Sequence, residues 1–211
     1  MRWRQVISTD CAADMVAQAT ARAAAVPNVQ CRVADATDLS AFPDASVDAV
    51  TCCYGLMFPA DKARTLAEIH RVLKPGGTCV ATYWKELDVV ELGRAVMGAV
   101  MGTAPPPLPP HANPLSLRDA GALDALATGA GFSVKASVTS DYPFDLGTDE
   151  DTQFKMATLL FKAQLATLEA EPQPKARAAF AASRERFTQR DAISGATVVP
   201  NNVFVMTTLV K

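Results

Sequence analysis

The sequence lacks several features that would assign it to a specialised class of protein. No apolar run approaches the ~20 residues of a membrane-spanning helix. Lys and Arg number 20 against 22 Asp and Glu, so no basic excess favours nucleic acid or an anionic membrane as a partner. The two histidines and five cysteines include no C-x-x-C pair, and their spacing indicates no metal site. Glycine is absent before Gly55, which excludes a glycine-rich loop from the first quarter of the chain.

Compartment and size follow from the same composition. The N-terminus has no charged region followed by an apolar stretch, so no secretory signal is predicted. An odd number of cysteines beside apolar runs is typical of a reducing compartment, and we expect a cytoplasmic protein. The 211 residues, 49% apolar and 20% charged, suit one globular domain. We divide it into a first half, residues 1–85, and a second half, residues 86–211.

The first half alternates strands and helices. Short apolar segments, rich in β-branched residues, alternate with segments that have apolar residues at helical spacing. Asp61 is placed to cap the second helix, and Lys74-Pro75-Gly76-Gly77 is expected to end it in a left-handed turn. The predicted strands are 5–9, 29–34, 47–53 and 78–84, and the predicted helices are 12–25 and the segment after Asp61. This order is typical of an α/β fold with a mainly parallel sheet.

The second half is less regular. A proline-rich loop at 103–114 can form neither helix nor central strand. Ser116 and Asp119 resemble a capping box that would open a helix ending near Gly129. Other predicted elements are helices at 87–101, from Thr148 and from about Pro174, and strands at 132–139 and 203–210.

Polar residues stand where the predicted strands end, which is where open parallel sheets bind ligands. Asp10 ends the first strand, Asp35 follows the second, and Cys53-Tyr54-Gly55 marks the end of the third. Each acid also has a structural interpretation. Asp10 could be the N-cap of the next helix, and Asp35 could form a turn with Thr37 and Asp38.

Three longer motifs connect these positions. They read VADATDL at 33–39, FPDASVDAV at 42–50 and RVLKPGG at 71–77, and YGLMF at 54–58 and YW at 83–84 accompany them. Together they resemble the class I S-adenosylmethionine-dependent methyltransferases, in the type 11 branch that includes quinone-biosynthesis C-methyltransferases. The resemblance is dense over residues 5–84. Beyond residue 84 it extends only to the layout of elements.

The resemblance implies S-adenosylmethionine as the cofactor and a Rossmann-like sheet with an antiparallel C-terminal strand. The implied cofactor-binding residues are Asp10, Cys11, Met15, Asp35, Ala36, Cys53 and Tyr54. Asp10 matches the acid that holds the ribose hydroxyls. Asp35 and Ala36 match the pair that reads the adenine edge.

Side-chain packing is implied for the other matched positions. Cys11 and Met15 fall where the family packs side chains against the adenine. Cys53 and Tyr54 fall where the chain passes the methionine part of the cofactor.

One part of the family pattern is missing. The family begins with a strand, a G-x-G-x-G loop and a helix, and only nine residues precede Asp10 here. In the family, that first strand lies between the second and the fourth. We therefore expect either two exposed strand edges or neighbours that close up. We interpret the chain as a truncated product or an incomplete gene model of a methyltransferase.

The implied activity is methyl transfer to a small apolar or aromatic acceptor. Candidate general bases are Tyr54, Tyr83 and Glu86, and we assign no catalytic residue among them. His111 would reach a substrate only if the proline-rich loop is a lid. A set of apolar side chains could line an acceptor pocket or simply form the core. These are Met97, Met101, Phe154, Met156 and Phe161.

Two other interpretations remain. The chain could be an inactive methyltransferase-like remnant that serves as a binding or regulatory protein, with the prolines offered to a partner's aromatic groove. A nicotinamide-dependent dehydrogenase also places an acid after its second strand, but Asp35-Ala36 and the Lys-Pro-Gly-Gly segment do not belong to that pattern. The expected partner is a small molecule, and a homo-oligomer is possible.

Overall fold

The computed structural model describes residues 5–167 and 172–211. The strands are β1 (Val6–Asp10), β2 (Val29–Val33), β3 (Val47–Cys53), β4 (Leu73–Leu87), β5 (Ser133–Asp141), β6 (Phe144–Asp145), β7 (Gln189–Arg190), β8 (Thr197–Val199) and β9 (Asn202–Val210). The helices are α1 (Ala13–Ala23), α2 (Lys62–Val72), α3 (Asp88–Met101), α4 (Ala122–Gly129), α5 (Glu150–Ala157), α6 (Lys162–Thr167) and α7 (Pro172–Phe187). Short 3-10 helices lie at Pro110–Ala112 and Leu159–Phe161. Among the described helices, none is long and apolar enough to cross a membrane.

The chain forms two compact units. Unit 1 holds the chain up to Ala81 together with Ala120–Ser137 and Thr207–Lys211. Unit 2 holds Thr82–Asp119 and Val138–Met206.

In unit 1, β1 and β2 form a parallel two-stranded sheet in which Asp10 is paired with Val33. The next strand, β3, belongs to a different sheet. Within residues 5–167 and 172–211, β1 pairs only with β2 and β3 pairs only with β4. The two sheets are thus separate, and β1 and β3 each have one unpaired edge among the described residues, which is the first of the two expected outcomes.

The larger sheet has the order β3-β4-β9-β5. Gly76 N–H donates to the carbonyl of Lys211, while Asp88 N–H donates to Asn201 at the other end of the pair. The start of β4 therefore lies against the end of β9, and the two strands are antiparallel. The predicted α/β, Rossmann-like fold with an antiparallel C-terminal strand is confirmed.

Helix α2 begins as predicted. The Asp61 side chain accepts a hydrogen bond of 2.8 Å from the Arg64 N–H. Its other end differs from the prediction, because the chain passes directly from Val72 into β4. Gly76 has the predicted left-handed conformation (φ 74°), but it lies within the strand. Lys211 Nζ caps the helix end by donating to the carbonyls of His70 and Leu73, each at 2.7 Å.

Unit 2 has its own apolar core between α3, α5 and α7. Its buried side chains include Val96, Phe154 and Phe180, with the Phe154 and Phe180 rings 5.8 Å apart. Asn202 is one of the buried polar residues of this unit. Its side chain is fully buried, donates to the Val199 carbonyl at 2.7 Å and accepts from the Val89 N–H at 3.3 Å. It therefore satisfies one of the unpaired N–H groups at the start of α3.

Two predictions for the second half are wrong. Ser116 does not open a helix, because α4 begins at Ala122 after Gly121 in the left-handed conformation, without a side-chain cap. Apolar residues at helical spacing (Phe154, Ala157, Phe161, Leu165 and Leu168) predict one continuous helix from Thr148, but the helix that begins after Asp149 ends at Ala157 and a 3-10 turn follows at Leu159–Phe161. Leu168 lies outside the described residues. A small antiparallel sheet of order β6-β8-β7 was not predicted, since its strands are only two or three residues long.

Candidate functional site

Asp10 stands at the carboxyl end of β1 with its carboxylate exposed. Its Oδ1 accepts a hydrogen bond of 2.8 Å from the Ala12 N–H, and its carbonyl accepts one of 3.0 Å from Ala34. The N-cap of α1 is Ala12, which makes no side-chain capping bond. The N-cap interpretation of Asp10 is therefore wrong. The carboxylate instead forms a turn that holds it at the strand end.

Asp35 lies two residues past the end of β2. Because β1 and β2 are parallel with Asp10 opposite Val33, both acids lie at the same edge of their sheet. Oδ1 of Asp35 accepts from the N–H and the hydroxyl of Thr37, both at 2.8 Å. These two bonds hold the pKa of Asp35 below its usual value, and the bond from the backbone N–H has the larger effect. Asp35 therefore forms a turn with Thr37, as its structural interpretation predicts. Its carboxyl group stays ionised at neutral pH.

The loop after Asp35 is tied to α2 by hydrogen bonds to its backbone. Arg64 Nε donates to the Thr37 carbonyl at 2.7 Å, and Glu68 accepts from the Leu39 N–H at 2.7 Å. Arg71 donates to the Leu39 carbonyl at 2.8 Å. Two helix side chains therefore bind both backbone groups of one loop residue.

Glu68 and Arg71 are also bonded to each other. Hydrogen bonds from Arg71 hold the pKa of Glu68 down at about 2, and those bonds together with Asp44 raise the pKa of Arg71. Arg71 Nη1 lies 2.6 Å from Asp44 Oδ1 and 3.0 Å from the Phe42 carbonyl. We term this set, Arg64, Glu68 and Arg71, the loop clamp.

The loop clamp was missed in the sequence. Arg71 occurs there only within the RVLKPGG motif, and no role was predicted for Arg64 or Glu68. The Glu68 and Arg71 spacing of three residues was the available signal, because such pairs face each other on a helix. The loop partners of Arg64 and Arg71 are 27 to 32 residues away, and no local pattern reveals them.

The end of β3 carries an unusual backbone conformation. Tyr54 has φ 53°, in the left-handed region that non-glycine residues seldom adopt. Such outliers are enriched at functional sites. Gly55 follows, and a Cβ there would come within 3.0 Å of Cys52 Sγ. Burial raises the pKa of Cys52, which is therefore a neutral thiol.

The other predicted residues lie on either side of these strand ends. Cys11 and Cys53 are exposed, Ala36 is half-buried, and Met15 is half-exposed on α1. A shallow groove of about 360 Å³ lies against α1 and is lined by Met15, Cys31 and Arg22 among others. Met15 is the one predicted cofactor-binding residue that lines this groove. Asp10 and Asp35 do not line it.

The apolar set proposed for an acceptor pocket mostly forms the core. Met97, Phe154 and Phe161 are buried in the core cluster of unit 2, with Met156 packed against it. Met101 is 40% exposed. Of the candidate bases, Tyr83 is buried while Glu86 is exposed.

Comparison with known proteins gives matches to the first part of the chain. The family model described as a methyltransferase domain matches residues 1–81. A demethylmenaquinone methyltransferase from Staphylococcus epidermidis is 40% identical over 76 residues, which is 36% of this chain and 31% of that protein. One from Thermus thermophilus is 39% identical over 77 residues, 36% of this chain and 34% of that protein. The matched segment spans about a third of the length of these relatives.

Solved structures extend the likeness over nearly the whole chain. The YcgJ protein from Bacillus subtilis aligns with a TM-score of 0.59 at 18% identity, covering 99% of this chain and 82% of its own. The [4+2]-cyclase SpnF aligns with a TM-score of 0.53 at 17% identity, covering 98% and 66%. At such identities the likeness concerns the fold alone. The cyclase illustrates that one fold serves different reactions.

Proposed function

We propose that the protein transfers a methyl group from S-adenosylmethionine to a small apolar or aromatic acceptor. The premise is that residues 1–81 carry a methyltransferase domain of the type 11 family, within a chain that has the class I methyltransferase fold. One observation carries the proposal. Within the segment that matches the family, exposed carboxylates stand at the same edge of two neighbouring parallel strands. That is the edge at which such sheets bind ligands.

The residues present suit the cofactor's nucleoside. Asp10 and Asp35 are acceptors, and a ribose diol and an adenine amino group are hydrogen-bond donors. Asp10 would hold the ribose hydroxyls, while Asp35 and Ala36 would contact the adenine edge. Each carboxylate uses Oδ1 in its own turn, so the turn orients the side chain.

The loop clamp supports this arrangement. It binds the backbone on the far side of Asp35, at Thr37 and Leu39. A site on a loop needs such support, because a displacement of about 1 Å weakens orientation strongly. The clamp residues are therefore positioning residues for the nucleoside end.

When bound, S-adenosylmethionine supplies an electrophilic methyl group on a sulfonium centre. The protein's task is then to align an acceptor atom with it and to exclude water. Cys53 ends β3 and Tyr54 follows it, and both would lie beside the methionine part. Among the candidate bases, Tyr54 suits the role by its placement directly after β3. The Tyr83 side chain is buried.

The acceptor class is drawn from the curated relatives. They are named for demethylmenaquinone, a fused aromatic ring system with an apolar tail, and they share the matched segment with this chain. A 1,4-dihydroxynaphthalene, the reduced and nucleophilic form of that ring system, is therefore the first acceptor to assay, by mass measurement of the methylated product.

Calorimetry with S-adenosylhomocysteine tests the cofactor part of the proposal. We expect saturable binding by the wild type and a loss of about tenfold or more in affinity for Asp10→Asn and Asp35→Asn, which retain the Oδ1 acceptor but lose the charge. Asp48→Asn, at an exposed acid near the start of β3 and so away from the carboxyl ends of the strands, should bind as the wild type does. A folded wild type that binds no S-adenosylhomocysteine would overturn the proposal.

A further inference from the structure

The outermost strand of the larger sheet is long, and no other strand in the described part of the chain pairs with its outer edge. β5 runs from Ser133 to Asp141 at the end of the sheet order, and eight of its nine residues are exposed. Proteins usually protect such edges with proline, bulges or several charges. β5 contains no proline, and its charged residues are Lys135 and Asp141.

The pairing with β9 fixes which backbone groups face outward. Tyr142 N–H donates to the Asn202 carbonyl at 2.7 Å, and Ser137 Oγ lies 2.9 Å from Thr207 Oγ1. Both contacts fit one antiparallel register, in which the even-numbered residues of β5 exchange backbone hydrogen bonds with β9. The N–H and C=O groups of the odd-numbered residues, from Lys135 to Asp141, therefore point to the open edge.

An apolar pair lies beside that edge. In the same register, Val138 is opposite Met206, and these side chains are 54% and 40% exposed. They lie on one face of the sheet, next to the row of outward backbone groups. The edge therefore offers both hydrogen-bonding groups and apolar surface, which is what strand addition requires.

We propose that β5 is a self-association surface at which a second copy of this chain adds its own β5, antiparallel and centred on Val138. Charge selects this register. A two-fold axis at Val138 places Lys135 opposite Asp141 of the second copy, and Asp141 opposite its Lys135. An axis at Ser137 would instead place Lys135 opposite Thr139, and an axis at Thr139 would place it opposite Pro143, which has no N–H.

The alternation of outward-facing backbone groups along β5 favours the same register as the charge pairs. About Val138, outward-facing residues meet outward-facing residues, so Ser137 pairs with Thr139 of the second copy. Val138 meets its own copy in a non-hydrogen-bonded pair, the kind in which side chains approach most closely. The two Met206 side chains extend this contact into an apolar row across the joined sheet.

Sedimentation of the full chain over a range of concentrations tests the proposal. We expect a reversible dimer. Lys135→Glu and Asp141→Lys should each weaken association by roughly tenfold, because each places like charges opposite each other twice. The double variant should regain the wild-type affinity, since it restores opposite charges in reversed order.

Backbone pairing is tested separately. Thr139→Pro removes an outward N–H that makes no bond to β9, so it should abolish the dimer while circular dichroism stays unchanged. Lys162→Glu and Glu185→Lys, with the same charge changes at exposed sites, should dimerise normally. A wild type that is monomeric at every concentration, or single charge variants that associate as tightly as the wild type, would overturn the proposal.

Discussion

Glu68 and Arg71 form a two-point ion pair on one face of α2, with Nε 2.8 Å from Oε1 and Nη2 2.9 Å from Oε2. Both side chains also bind the backbone of Leu39, one through its N–H and the other through its carbonyl. The pair is thus the connection between a helix and the loop that follows β2.

Replacing the guanidinium tests this connection. Arg71→Lys keeps the charge but has no planar fork, so it cannot hold Glu68, Asp44 and two loop carbonyls together. We expect the Tm to fall by several degrees. Arg118→Lys, at an exposed arginine in a turn, is the matched control and should leave the Tm unchanged. Equal Tm values for both variants would contradict the role of the clamp.

The Glu68 carboxyl should make stability depend on pH in the acid range. Its pKa in the folded protein is about 2, against an ordinary value of 4.5. The unfolded chain therefore binds the proton more readily, and the contribution of Glu68 to stability is complete above pH 4.5 and is lost as the pH falls towards 2.

The corresponding measurement compares free energies of unfolding of the wild type and Glu68→Gln across this range. The difference should be constant above pH 4.5 and shrink below it. Glu185→Gln should give no such change. A difference that is independent of pH down to 2.5 would be inconsistent with a depressed pKa.

Asn202 should tolerate a charge poorly. Asn202→Asp keeps an acceptor for the Val89 N–H but loses the donor to the Val199 carbonyl, in a fully buried position. We expect a loss of about 3 kcal/mol in the free energy of unfolding. The neighbouring Asn201→Asp, at an exposed side chain, should change it by less than about 0.5 kcal/mol. Urea denaturation of both variants distinguishes burial from a general effect of added negative charge.

Two glycines of α3 should respond oppositely to alanine. A Cβ on Gly93 would lie 2.5 Å from the Ala157 carbonyl oxygen and 2.7 Å from Phe161 Cε2, whereas one on Gly98 would have no contact closer than 3.4 Å. Alanine gains about 1 kcal/mol of helix propensity at either site. We therefore expect Gly93→Ala to destabilise the protein by about 2 kcal/mol through overpacking and Gly98→Ala to stabilise it slightly. Thermal unfolding of the two variants side by side is sufficient, and similar Tm shifts would refute the packing of α3 described above.

Local chemistry explains which elements the sequence predicted. Asp61 capped α2 as expected because an N-cap bond involves only neighbours in the chain. Ser116 failed as a cap because the same pattern also forms turns, and the choice depends on tertiary packing. The interruption before Phe161 was invisible for a similar reason, since apolar spacing continues through it.

The candidate site was predicted in part. The positions of Asp10, Asp35 and Tyr54 follow from where the strands end, and the sequence predicts those ends. The left-handed conformation of Tyr54 was not predictable, because tyrosine carries no preference for it. The partners of Arg71 are distant in sequence, and only folding brings them together.

The separation of the two sheets has a consequence for cooperativity. β1 and β2 have only each other as ladder partners among the described residues, and the α1 that connects them has no buried residue. A two-stranded sheet with so little buried surface opens at a low free energy compared with β4 and β9. We therefore expect the segment that carries Asp10 to be less protected against hydrogen exchange than β4 and β9. A nucleoside held there would stabilise a subglobal unit rather than the whole molecule, so ligand binding and local folding would be thermodynamically linked.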